Sequence, residues 1–204
     1  MKEYIERSLT FDEYISLIDK LLAEDKTTGP KQSEAMTHYA TLNRQRMQRL
    51  SKTIELSDDI RSAARNLGRE MFWLVITEGW CGDAAQNIPA IEKIAAESVN
   101  IETRYILRDE NPELMDRFLT EGARSIPKLI ALDAATLEVL GSWGARPASA
   151  QSLYHELKTQ GLAKPLIMEN LQRWYNEDKS GSIQEEFVKL IDQWDGGKTK
   201  TAVI

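Results

Sequence analysis

The run Met71-Phe72-Trp73-Leu74-Val75-Ile76 constrains this chain more than any other segment. It is far short of the ~20 apolar residues that cross a bilayer. A short continuous apolar run reads instead as a strand covered on both faces, which places it inside a sheet with helices around it. Asp83 to Ala96 follows as a helix with Ala84, Ile88, Ile91 and Ala95 facing inward, and Ile101 to Leu107 as a second strand. Asn111-Pro112 offers a cap and a first-turn proline for a helix carrying Leu114, Met115, Phe118 and Leu119, with a stop at Gly122. Lys128 to Leu132 and Leu137 to Trp143 read as two strands of a hairpin. Ser149 to Gln160 closes the unit as a helix with Leu153, Tyr154 and Leu157. The expected order from Met71 is strand, helix, strand, helix, strand, strand, helix.

Helices are expected on both sides of this unit. Asp12 to Leu22 carries Tyr14, Ile15, Ile18, Leu21 and Leu22 at the helical period, and Thr27-Thr28-Gly29-Pro30 breaks it. Gln32 to Leu50 reads as a polar helix, and Ser57-Asp58-Asp59 as the capped start of another with Ile60, Ala63, Ala64 and Leu67 on one face and Gly68 at its end. After the unit, one helix opens at Pro165 with Ile167, Leu171 and Trp174. A second opens at Ser182, with Glu185 completing a capping box and Ile183, Phe187, Leu190, Ile191 and Trp194 as its apolar face. Gly196-Gly197 ends it and the tail 198–204 is expected to fray. The terminal tryptophans are expected to pack on the core, with self-association as the sharper alternative. The organisation expected is 1–68 as an N-terminal helical extension, 69–162 as an α/β core, and 163–204 as C-terminal helices.

A chain of 204 residues, 42% hydrophobic and 28% charged, can bury a core and keep a soluble surface. Its net charge of −6 points to neither nucleic acid nor an anionic membrane as partner. Met1 to Arg7 has no apolar h-region, and a lone cysteine forms no internal disulfide, so a cytoplasmic location is expected.

The segment Glu78-Gly79-Trp80-Cys81-Gly82-Asp83-Ala84, between the first strand and the first helix of the unit, resembles the active-site segment of thioredoxins, Trp-Cys-Gly-Pro-Cys. Pro89, eight residues after Cys81, matches the proline that bends that family's active-site helix. Ser125-Ile126-Pro127 stands before a strand, where thioredoxins carry the cis-proline that faces the reactive cysteine. The resemblance covers Arg69 to Gly161 and implies a thioredoxin-like three-layer fold: a central mixed sheet flanked by helices, here with N- and C-terminal helical extensions. It also implies a catalytic role for Cys81 and a substrate surface formed by Trp80, Gly82, Asp83, Ile126 and Pro127. A thiol at a helix N-terminus lies near free backbone N–H groups and the positive end of the helix dipole, so a lowered thiol pKa is expected.

Three residues depart from the pattern. Ala84 stands at the resolving cysteine, Asp83 at the proline, and Val75 at the buried aspartate that moves protons during resolution. Ala84 and Val75 remove the same step, since both partners of resolution are missing. The negative charge of Asp83 opposes thiolate formation. Three readings follow. The preferred one is monothiol thiol–disulfide exchange: Cys81 takes a mixed disulfide or a glutathione adduct, and an external thiol resolves it. The second is a non-catalytic thioredoxin-fold binding module that grips a polypeptide beside Cys81 and Pro127. The third is a glutaredoxin-like carrier of glutathione or an iron–sulfur cluster, against which stands Cys-Gly-Asp-Ala in place of Cys-Gly-Phe-Ser. The expected partner is a protein or low-molecular-weight thiol or disulfide, with a homodimer as a further expectation.

Other residues carry plainer readings. Glu78 reads as a solvated loop acid. His38 and His155 lie on separate helices with no metal-ligand spacing, and no metal or cofactor is expected. The basic run Arg44 to Arg49 reads as a solvated helix face paired with the acids at Asp58-Asp59.

Overall fold

A computed structural model describes residues 1–196; the expectation for the tail 198–204 lies outside them. The elements in chain order are α1 (Lys2–Glu6), α2 (Phe11–Ala23), α3 (Glu34–Thr53), α4 (Asp58–Arg65), β1 (Met71–Thr77), α5 (Gly82–Ala95), β2 (Ile101–Leu107), α6 (Pro112–Asp116), β3 (Lys128–Asp133), β4 (Val139–Gly144), α7 (Ala148–Thr159), α8 (Lys164–Asp178) and α9 (Gly181–Trp194).

The sheet order is β2-β1-β3-β4. β1 runs parallel to β2 and antiparallel to β3, and β4 is antiparallel to β3. A parallel pair needs a crossover, which α5 supplies. Because β1 is central, all of its residues except the half-buried Phe72 are buried, which is why it reads as an unbroken apolar run. The edge strand β4 is only partly covered, and its apolar pattern is correspondingly weaker. Helices flank the mixed sheet, as expected: α3 and α4 pack on α5, α9 packs on α4, and α2 packs on α3 and β2.

Local chemistry sets the helix starts. Thr10 caps α2 in a capping box with Glu13, and Ser33 and Ser57 cap α3 and α4 with their hydroxyls. Several expectations are corrected. α6 ends at Asp116, far short of Gly122, and the Asn111 side chain does not cap it but donates to Leu107 O at 2.7 Å. α4 stops at Arg65 with Asn66 as its cap, ahead of Gly68. Ser182 and Glu185 form no capping box. The N-cap of α9 is Ser180, in a left-handed conformation, and the Ser182 hydroxyl is drawn to Asp178 instead. Arg44 pairs with Asp19 on α2 at 2.7 Å rather than with Asp58 or Asp59, because α3 lies against α2.

The main core centres on Trp73, with no exposed surface, which meets Phe187 and Trp194 of α9 edge-on at centroid separations of 5.3 and 6.0 Å. α9 comes this close because Gly141 on β4 has no Cβ: one there would collide with the Trp194 indole nitrogen. Trp194 thus packs on the core as expected. Trp174 does not reach it, lying instead in a second, smaller cluster formed by Ala150, Leu157, Ile167 and Leu171 of α7 and α8.

Candidate functional site

The turn after β1 delivers Cys81 to the start of α5, where it is the N-cap residue. Its sulfur accepts the Ala84 N–H at 3.4 Å, and its S–H donates to Ile126 O at 3.2 Å. The Ile126–Pro127 bond is cis, and both residues are buried. Gly144 packs against the cis-proline: its φ is +120°, and a Cβ there would strike Pro127 O. Pro89 lies inside α5, also buried.

The expected lowering of the Cys81 pKa is overturned. Cys81 is 8% exposed, and burial pushes its thiol up to about 12, with the negative charge of Asp83 adding to the rise. The N–H groups of the first turn pull the other way and lose, because an ion taken from water costs more than two N–H contacts return. The S–H donated to Ile126 O fits a thiol that rests protonated.

Trp80 is half-buried, with the Arg108 guanidinium 4.8 Å above its ring centroid. Gly82 is exposed. Asp83 does not face solvent freely. Its carboxylate accepts from Arg146 Nη2 at 2.6 Å and from the Tyr175 hydroxyl at 2.8 Å. Asn87, one turn along α5, donates to the same Tyr175 oxygen at 3.1 Å. Arg146 in turn reaches Gln151 at 2.9 Å, and its guanidinium lies 4.6 Å from the Tyr154 ring centroid. Arg146 and Asp83 side chains are only 10% and 12% exposed, so this pair is shielded from water.

These partners escaped the sequence reading. Arg146 comes from the loop after β4 and Tyr175 from α8, both remote from Cys81 in the chain, and neither sits in a motif. The only local hint was Asp83 itself, an acid placed where burial would demand a cation.

Glu78 is a further correction. It is wholly buried: Oε1 accepts the Asp109 N–H at 2.9 Å, and burial raises its carboxyl pKa. The loop after α2 explains this. Thr28 Oγ1 accepts the Gly79 N–H at 2.8 Å, Asn43 of α3 donates to Gly79 O at 3.2 Å, and Gly29 lies against Glu78 and Asp109. His155 lies 2.7 Å from Glu121. Among the described residues, no group of three or more His, Cys, Asp or Glu side chains is placed to hold a metal ion. No described helix is long and apolar enough to cross a membrane.

A β2-β1-β3-β4 mixed sheet, a cysteine capping the helix after the central strand, and a cis-proline beside its sulfur define a protein of the thioredoxin-like class. The sequence matches the family described as Thioredoxin over residues 29–158, well over half of the chain, and the protein belongs to that family. The match takes in α3 and α4 as well as the βαβ unit. No curated protein matches the sequence. Among solved structures, an HIV epitope scaffold is similar at 17% identity and a TM-score of 0.60, over 94% of this chain and 96% of that one. A protein of unknown function from Pseudomonas aeruginosa is similar at 15% identity and a TM-score of 0.55, over 90% of this chain and 98% of that one. At these identities the likeness is one of fold.

Proposed function

We propose that this thioredoxin-fold protein works through the single thiol of Cys81, by monothiol exchange. Cys81, ionised, attacks a disulfide R–S–S–R′. The new bond is Cys81–S–S–R, and the R′ thiolate leaves and takes up a proton; an external thiolate R″–S⁻ then attacks the R sulfur, forming R–S–S–R″ and releasing the Cys81 thiolate, which is reprotonated. The observation that carries this reading is the position of the sulfur. It caps α5, within reach of the Ala84 N–H that would hold a thiolate, and borders Ile126 and Pro127, which offer a wall for the incoming disulfide. Ala84, fully buried, leaves no internal resolver, so the mixed disulfide persists until a second molecule arrives. Trp80 and Gly82, the two residues flanking Cys81, form the solvent-facing side of the approach.

The test is incubation with glutathione disulfide, acid quench and intact-mass measurement. One glutathionyl group on Cys81, released by added thiol and lost in Cys81→Ala, is the expected result. An unmodified protein under conditions in which Cys81 does react with a small alkylating agent would overturn the reading.

A second reading is favoured by the burial of Cys81 and its raised pKa: a binding module in which the thiol is a packing group. Under it, a partner captured by the wild type is captured equally by Cys81→Ala, with no disulfide between them on non-reducing gels.

A further inference from the structure

The two C-terminal pieces of the chain are attached in different ways. α9 belongs to the main apolar core through Ile183, Phe187, Ile191 and Trp194. The α7–α8 hairpin contributes no residue to that core. Its apolar side chains, Ala150, Leu157, Ile167 and Leu171, close on one another instead. What ties it to the body is polar. At the site, Tyr175 bonds Asp83 and Asn87 of α5. At the base of the hairpin, the Ala148 N–H donates to Glu186 at 2.7 Å and Ser149 bonds Ser182 at 3.2 Å. Along the outer edge, Gln151 donates to Glu121 at 2.9 Å.

Both ends of the hairpin leave the body through left-handed backbone. Gly144 precedes it at φ +120°, and Lys179 and Ser180 follow at φ 50° and 64°. Consecutive left-handed residues without glycine are costly, and such element-terminal positions are where a rigid body turns. Between those ends, Arg146 and Tyr175 bond Asp83 in the first turn of α5, the turn that Cys81 caps, and the Tyr154 ring lies against the Arg146 guanidinium. Arg146 is buried there with its Nε unpartnered, so this surface is incompletely satisfied when shut.

We propose that the α7–α8 hairpin is a hinged lid over Cys81, latched by the Asp83–Arg146–Tyr175 cluster, and that the thiol becomes accessible when the hairpin swings off α5 as a unit. A small apolar core of its own lets the hairpin move without melting. A polar latch allows it to release, because each of its groups can be taken up by water once exposed. The proposal concerns access to the thiol. It goes beyond disulfide exchange and does not depend on it: alkylation reads access, mixed-disulfide formation reads exchange, and either can fail while the other holds.

The experiment compares the full-length wild type with Tyr175→Phe, which removes only the latch hydroxyl, and Leu171→Ala, which loosens the hairpin away from Asp83. Hydrogen–deuterium exchange followed by peptide mass spectrometry is expected to show α7 and α8 exchanging together, ahead of α5 and α9. Alkylation of Cys81 by a small neutral reagent, measured across pH, is expected to speed up about tenfold in Tyr175→Phe from the loss of its hydrogen bonds to Asp83 and Asn87. The rise should lift the whole rate–pH curve, and Leu171→Ala should lift it too. Exchange of α7–α8 in one step with α5 and α9 would overturn the lid. So would unchanged alkylation in both variants, or a curve that only slides along the pH axis, which would mean that the latch tunes ionisation and not access.

Discussion

The hairpin α7–α8 and the helix α9 are neighbours in sequence, yet the protein holds them by different physics. α9 is fixed by burial: Trp194 and Phe187 lie edge-on to Trp73, and Phe187 also meets Trp143 at 5.3 Å. The hairpin is fixed by directional contacts to Asp83, Asn87, Glu121 and Glu186. Apolar burial is roughly additive in area and insensitive to orientation, so a helix held that way comes off only with the fold. Hydrogen bonds are exchanged for water at small net cost, so a segment held that way can detach alone. Asp83, two residues from the candidate thiol, is held by the second kind of attachment.

The largest expected effect tests the α9 side. Trp194→Ala removes a fully packed indole from the main core, and denaturant unfolding should show a loss of about 3–5 kcal/mol in global stability. A loss below about 1 kcal/mol would place α9 with the hairpin and erase the contrast. Leu171→Ala empties the small cluster. Its local cost is about 2–3 kcal/mol, but it should appear as faster amide exchange confined to α7 and α8, with the global unfolding midpoint nearly unchanged. A matching shift of the global midpoint would mean that the two clusters unfold as one.

Alkaline titration sharpens the comparison at the site. The folded-state pKa values of Cys81 and Tyr175 are both raised, so closed protein holds protons that open or unfolded protein releases. The associated stability is complete below the ordinary thiol range and is lost as pH rises from about 9 toward 12. Each fully unmatched proton steepens the loss by about 1.4 kcal/mol per pH unit. Tyr175 is pushed up first by burial and then by Asp83. Tyr175→Phe should therefore flatten the alkaline opening of the hairpin, and Cys81→Ala should flatten global unfolding over the same range, both followed by amide exchange. The smallest effect belongs to the surface: Arg44→Ala breaks the exposed pair with Asp19 and should change unfolding stability by less than about 1 kcal/mol.

The βαβ unit was legible because each of its elements announces itself locally. β1 is central and so uniformly apolar, α5 follows a turn with a cap, and Pro127 marks the approach to β3. The end of the short α6 is not legible, since Phe118 and Leu119 continue the helical spacing although the helix ends at Asp116. Glu78 was misread for a related reason: an acid in a loop is ordinarily solvated, and only the packing of the segment from Thr27 to Gly29 over it removes the water.

By itself the sequence determined the sheet and its crossover helix, the placement of a lone cysteine at the head of that helix, and an alanine, Ala84, three residues after it. These follow from periodicity and adjacency, which act over a few residues. Only the tertiary structure decided the state of that cysteine. Its burial, and the Arg146 and Tyr175 contacts that fix the charge of Asp83 beside it, arise from segments brought together across the fold. Solvation is a property of everything that surrounds an atom, and no local pattern records it. A thiol at the head of a helix reads as one of lowered pKa, and folding makes it a buried one that holds its proton.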